Sequence, residues 1–99
     1  MAFHKGLALT FVTFLGACSS PSPFFMGSAP LAQQVSGVRF DVYRRENLAQ
    51  AIRLSGRLPG GAPAIKAAAV IAINRATGCQ VNLADIEADT EVVTASLNC

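Results

Sequence analysis

Residues 62–79 read Ala-Pro-Ala-Ile-Lys-Ala-Ala-Ala-Val-Ile-Ala-Ile-Asn-Arg-Ala-Thr-Gly-Cys. Ile65, Ala68, Ala69, Ala72, Ile73 and Ala76 recur at helical spacing, while Lys66, Asn74 and Thr77 mark a wetter side. Pro63 suits the first turn of a helix, where a missing N–H costs nothing, and Gly78 suits the cap that ends one. The pattern predicts a helix from about Ala64 to Thr77, its alanine-rich face lying close on a sheet. Lys66 interrupts the apolar run, which is too short for the roughly 20 residues of a membrane span.

On the C-terminal side, residues 79–99 begin and end on cysteine. Read as an antiparallel hairpin with Cys79 opposite Cys99, the segment turns at Asp89-Thr90 and sets Val81 against Leu97 and Leu83 against Ala95 on an apolar face. Gln80 then opposes Asn98 and Asn82 opposes Ser96 on a polar one. The separation of apolar from polar residues supports that register and so a Cys79–Cys99 disulfide. The register fails near the tip, where Glu87 meets Glu91 and Ile86 and Val92 change faces, so a bulge or irregular loop is expected there.

On the N-terminal side, Gly56, Pro59, Gly60 and Gly61 break the chain. Before them Val38, Phe40 and Val42 alternate with Arg39, Asp41 and Tyr43, the period of a half-buried strand. Leu48–Ser55 has two readings. As a strand, Leu48, Ile52 and Leu54 share a face, and a register with Phe40 opposite Leu54 pairs Asp41 with Arg53. As a helix capped by Asn47, the set Leu48, Ala51, Ile52 and Ser55 fits nearly as well. The hairpin is the preferred reading. The expected fold is therefore α+β with the order ββαββ: hairpin, helix, hairpin, forming a four-stranded antiparallel sheet with the helix on one face and one disulfide.

Residues 18–34 are rich in Ser, Pro, Gly and Ala, and read as a flexible tether to a domain of residues 35–99. Phe24, Phe25 and Met26 form an apolar island within it, suited to the lipid interface, to packing on the domain, or to neither. Five of the six Phe, at positions 3, 11, 14, 24 and 25, fall outside this expected domain, leaving Phe40 and Tyr43 as its aromatics. About 65 residues bury a marginal core, so a disulfide worth roughly 3 kcal/mol has a structural role.

The chain opens with a short basic start and an apolar, uncharged run from Gly6 to Ala17, the pattern of a secretory signal peptide. That run ends on Leu15-Gly16-Ala17-Cys18. The motif resembles the lipobox of bacterial lipoproteins, and the resemblance covers residues 1–18. It implies removal of residues 1–17 and acylation of Cys18, with palmitate among the chains, as the new N-terminus. Ser19 stands where an Asp would favour inner-membrane retention, which points to the periplasmic face of the outer membrane. If Cys18 carries lipid, Cys79 and Cys99 remain as a pair in a compartment that oxidises thiols.

The 82 residues left after residue 17 carry seven basic groups against six acidic ones. Their distribution is lopsided. Residues 35–78 hold Arg39, Arg44, Arg45, Arg53, Arg57, Lys66 and Arg75 against Asp41 and Glu46, whereas residues 79–99 hold Asp85, Glu87, Asp89 and Glu91 and no base. Arg44 and Arg45 are the pair an envelope protein or anionic surface would meet. The four acids alternate, as a calcium-like site or small-ligand site at the hairpin tip would require, but lack the Gly and terminal Glu of an EF-hand loop. No nucleophile constellation or phosphate loop stands in the chain, and the region after Cys18 contains no His. The expectation is a non-catalytic interaction or structural module of the envelope with no cofactor, no metal and no nucleic-acid partner. An ion-binding or ligand-binding module at the acidic tip is the alternative.

Overall fold

Pro63 lies in the first turn of helix α1, which spans Ala62–Thr77 in the computed structural model; the structure describes residues 22–89 and 91–99. Gly78, at φ 73°, closes the helix by donating its N–H to the Asn74 carbonyl at 2.9 Å. Ile65, Ala68, Ala69, Ala72 and Ile73 are buried and Ala76 is partly buried, so the expected inner face is the one that packs. Its last turn also hands the chain on. The Asn74 Oδ1 accepts the Val81 N–H at 3.2 Å, and the Thr77 hydroxyl accepts that of Cys79 at 3.1 Å.

Five strands form the sheet: β1 (Leu31–Val35), β2 (Val38–Arg45), β3 (Leu48–Ser55), β4 (Gln80–Ala88) and β5 (Val92–Asn98). They lie in the order β1-β2-β3-β5-β4, every neighbouring pair antiparallel. The α+β class and the single helix agree with the sequence reading, but the sheet has a fifth strand. That strand is built from residues 31–34 of the expected tether together with Val35. Its cause is the turn at Ser36-Gly37, where both residues have positive φ (52° and 82°), as the two-residue hairpin turns that match strand twist require. Nearby, Gly56 admits no side chain, since a Cβ there would lie 2.5 Å from the Gly37 carbonyl oxygen.

Leu48–Ser55 is a strand, but its register differs by one residue from the expected one. Arg45 pairs with Leu48 across the two-residue loop Glu46-Asn47, Phe40 opposes Arg53, and Asp41 opposes Ile52. The short loop dictates this pairing, and a one-residue slip exchanges the faces of a strand. Ala49 and Ala51 therefore join Val38, Phe40, Val42, Val93, Ala95 and Leu97 under the helix. Leu48, Gln50 and Ile52 point to the other face.

In the last hairpin Gln80↔Asn98 and Val81↔Leu97 pair as expected, and the Cys79–Cys99 disulfide is formed, with Cα atoms 4.6 Å apart. The expected pairs Asn82–Ser96 and Leu83–Ala95 are replaced by a bulge of residues 82–85, after which Ile86 faces Ala95 and Glu87 faces Thr94. Two forces favour the bulge. It brings Ile86 back to the core side, and it removes the repulsion of Glu87 opposite Glu91. Leu83 is left 72% exposed.

Candidate functional site

With α1 on one side of the sheet, the opposite face holds two buried residues of β3, Gln50 and Ile52, that do not belong to the helix-side core. A buried amide needs partners at both ends. The Gln50 Nε2 donates to the Thr94 hydroxyl at 3.0 Å, and its Oε1 accepts the Ser22 N–H at 2.9 Å. Ser22 opens a single 3-10 turn, Pro23–Phe25, that lies over this face. Phe25 is only 2% exposed, so of the readings open to the apolar island it takes packing on the domain, as a core residue of the second face.

Further bonds hold the same segment. The Ser28 hydroxyl donates to the Arg44 carbonyl at 3.3 Å, and an Arg45 Nη donates to the Phe24 carbonyl at 2.9 Å. The Arg45 guanidinium also lies 4.9 Å from the centre of the Phe24 ring, a cation–π distance, and Phe24 meets Phe25 edge to face with centroids 5.2 Å apart. The apolar island is thus divided. Phe25 is inside, while Phe24 at 39% and Met26 at 63% remain exposed.

Arg44 and Arg45, expected to act as a pair, are sent to opposite faces by the alternation of β2. Arg45 joins Phe24, whereas Arg44 reaches across the helix side to the Glu46 carbonyl at 3.1 Å and the Cys99 Sγ at 3.4 Å.

The acidic tip is likewise dispersed. Asp85 accepts the Ser96 hydroxyl at 2.9 Å, and Glu91 forms an ion pair with Arg53. Arg53 therefore binds Glu91 and not Asp41, its expected cross-strand partner, and also donates to the Gly56 carbonyl at 2.8 Å. Among the described residues, no three His, Cys, Asp or Glu side chains come close enough to share a metal ion. Asp89 caps its own turn. Its Oδ1 accepts the N–H of Glu91 at 2.7 Å and of Val92 at 2.8 Å, and these bonds hold its carboxyl below its ordinary pKa. A lowered folded pKa stabilises the fold above the unfolded value near 3.8, and this contribution is lost as pH falls through the folded value. Asp89→Ala is accordingly expected to cost about 0.5–1 kcal/mol at pH 7, an exposed and therefore modest effect, with the difference from wild type shrinking in acid. Urea melts at pH 7 and pH 3 check it; an equal loss at both would show that the charge is irrelevant. Thr90, the other residue of the expected turn, lies outside the described residues.

Shallow hollows open among the described residues, one of about 220 Å³ at the hairpin tip beside Glu87, Asp89 and Thr94, and two larger ones beside the helix. One, of about 350 Å³, lies at the start of α1 beside Arg57, Leu58 and Ile65, and the other, of about 380 Å³, lies between Lys66, Ile86 and Asp89. The lipidation residue Cys18 and its motif lie outside the described residues. Sequence reasoning missed Ser22, Phe25 and Gln50 as a unit. The available signal was an aromatic pair in an otherwise small and polar segment.

No protein-family model, curated protein or solved structure matches the chain.

Proposed function

We propose that the chain is a membrane-anchored envelope lipoprotein whose small domain acts by association and not by catalysis. The observation that carries this reading is the Leu15-Gly16-Ala17-Cys18 motif at the end of an apolar run. The Cys79–Cys99 disulfide supports it, because such bonds persist where thiols are oxidised, outside the cytoplasm. In this reading Cys18 is acylated on the periplasmic face of the outer membrane, and the domain works at that surface on an envelope partner. Cys18→Ser is expected to shift the protein from the membrane fraction to the soluble one, or to leave it unprocessed at higher mass. Acyl chains worth about 0.8 kcal/mol per buried CH₂ account for so large a change. A variant that fractionates and migrates as wild type does would refute the lipoprotein reading.

A further inference from the structure

We infer that the sheet face bearing Phe24, Met26, Leu48 and Arg45 docks on the phospholipid headgroups around the anchor, so that the domain lies on the membrane instead of hanging from it. The inference rests on the lipoprotein reading and names the surface that the domain meets first.

The argument begins with chain length. A tether running to residue 34 would let the domain move some 20–25 Å from its anchor. The structure fixes the chain much earlier, since the Ser22 N–H is bonded to the buried Gln50 of β3, the middle strand. Only four residue steps separate Ser22 from Cys18, and they span at most about 14 Å in any conformation. An acylated cysteine sits at the boundary of hydrocarbon and headgroups, and the headgroup layer of one leaflet is roughly 5–8 Å thick. Ser22 is therefore confined to within about a nanometre of the membrane surface, and the face on which it sits is the nearest to lipid.

That face has suitable chemistry. Phe24 and Met26 project beside Ser22, and Leu48, the cross-strand neighbour of Arg45, is partly exposed on the same side. Aromatic and long apolar side chains with a cation among them suit the boundary between acyl chains and phosphates. The Arg45 guanidinium, stacked over Phe24, presents its charge beside an apolar ring where the phosphates would lie. Charge across the whole sheet agrees. By the alternation of β2, Arg39 and Arg45 share the docking face with Asp41, while Asp85 and Glu87 are on β4, the far edge, where anionic headgroups repel them least.

The chain contains no Trp, so a single introduced one reports its own surroundings. Full-length protein carrying Phe24→Trp or Met26→Trp, acylated in cells and purified, would be reconstituted into phosphatidylethanolamine and phosphatidylglycerol vesicles with brominated acyl chains. Ile71→Trp, on the exposed side of α1 and so across the sheet, is the control. Docking predicts at least twofold quenching and a shift to shorter emission wavelength at positions 24 and 26, with little change at 71. Adding Arg45→Glu should reduce that quenching at least by half. Protein that floats with the vesicles but shows equal, weak quenching at all three positions overturns docking and leaves the lipoprotein reading standing. Protein that does not float, with an unmodified Cys18 by mass spectrometry, overturns both. A shift at position 24 of the same size without lipid, growing with protein concentration, assigns the face to a second copy and also overturns the proposal.

Discussion

Phe25→Ala is expected to lower the unfolding free energy by about 3–4 kcal/mol, and the neighbouring Phe24→Ala by less than about 1 kcal/mol. The difference follows first from burial, because the two rings touch edge to face but only Phe25 is enclosed. Loss of Phe25 also loosens the turn that brings the Ser22 N–H to Gln50. A buried amide oxygen without its donor adds to the cost of the empty volume. At a slope of about 1–1.5 kcal/mol per molar urea, the midpoint should fall by roughly 2–4 M. Equal, small effects of both substitutions would show that residues 22–28 are not part of the folded unit. A fragment starting at residue 35 should fare worse still, because it lacks Phe25 and nearly all of β1.

The position of that boundary shows what sequence patterns convey. The helix was legible because one face repeats at 3.6 residues between a Pro and a Gly whose backbone preferences mark its ends. The base of the last hairpin was legible because two cysteines pin one register. β1 was not, since Leu-Ala-Gln-Gln-Val is an edge strand with few apolar contacts, and its signal lay in the turn: Ser-Gly between Val35 and Val38 is a two-residue hairpin loop. The register of the β2–β3 hairpin, though not the hairpin itself, differs from the expected one for the same reason. Pairing by side-chain preference favoured Asp41 with Arg53, whereas the tight Glu46-Asn47 loop requires Arg45 opposite Leu48 and leaves Arg53 to Glu91. The second-face cluster was hidden because it joins residues far apart in the chain: Gln50 is 28 positions from Ser22 and 44 from Thr94. No local period reports such a contact.

The Cys79→Ala, Cys99→Ala double variant is expected to lose about 3 kcal/mol, the entropy that a cross-link over 20 positions removes from the unfolded chain. Alanine at both sites avoids leaving a hydroxyl or a lone thiol at Cys79, which is buried against the core. The loss should be uneven across the sheet. β4 is an edge strand whose only strand partner among the described residues is β5, and that ladder is interrupted between Val81 and Ile86 by the bulge. Without the sulfur bond, its base is held by Gln80↔Asn98, Val81↔Leu97 and the Asn74 side chain. β3, by contrast, is paired on both sides, with β2 and β5, and its ladder to β5 is extended by the Leu97 N–H to the Asn47 carbonyl at 2.8 Å. Amide hydrogen exchange of the double variant should therefore rise most in residues 80–88, through local opening, before the central strands lose protection. Uniform loss across all five strands would mean that the cystine acts only on the unfolded chain. Preferential loss in β4 would show that it also clamps the bulged edge of the sheet to the end of the helix.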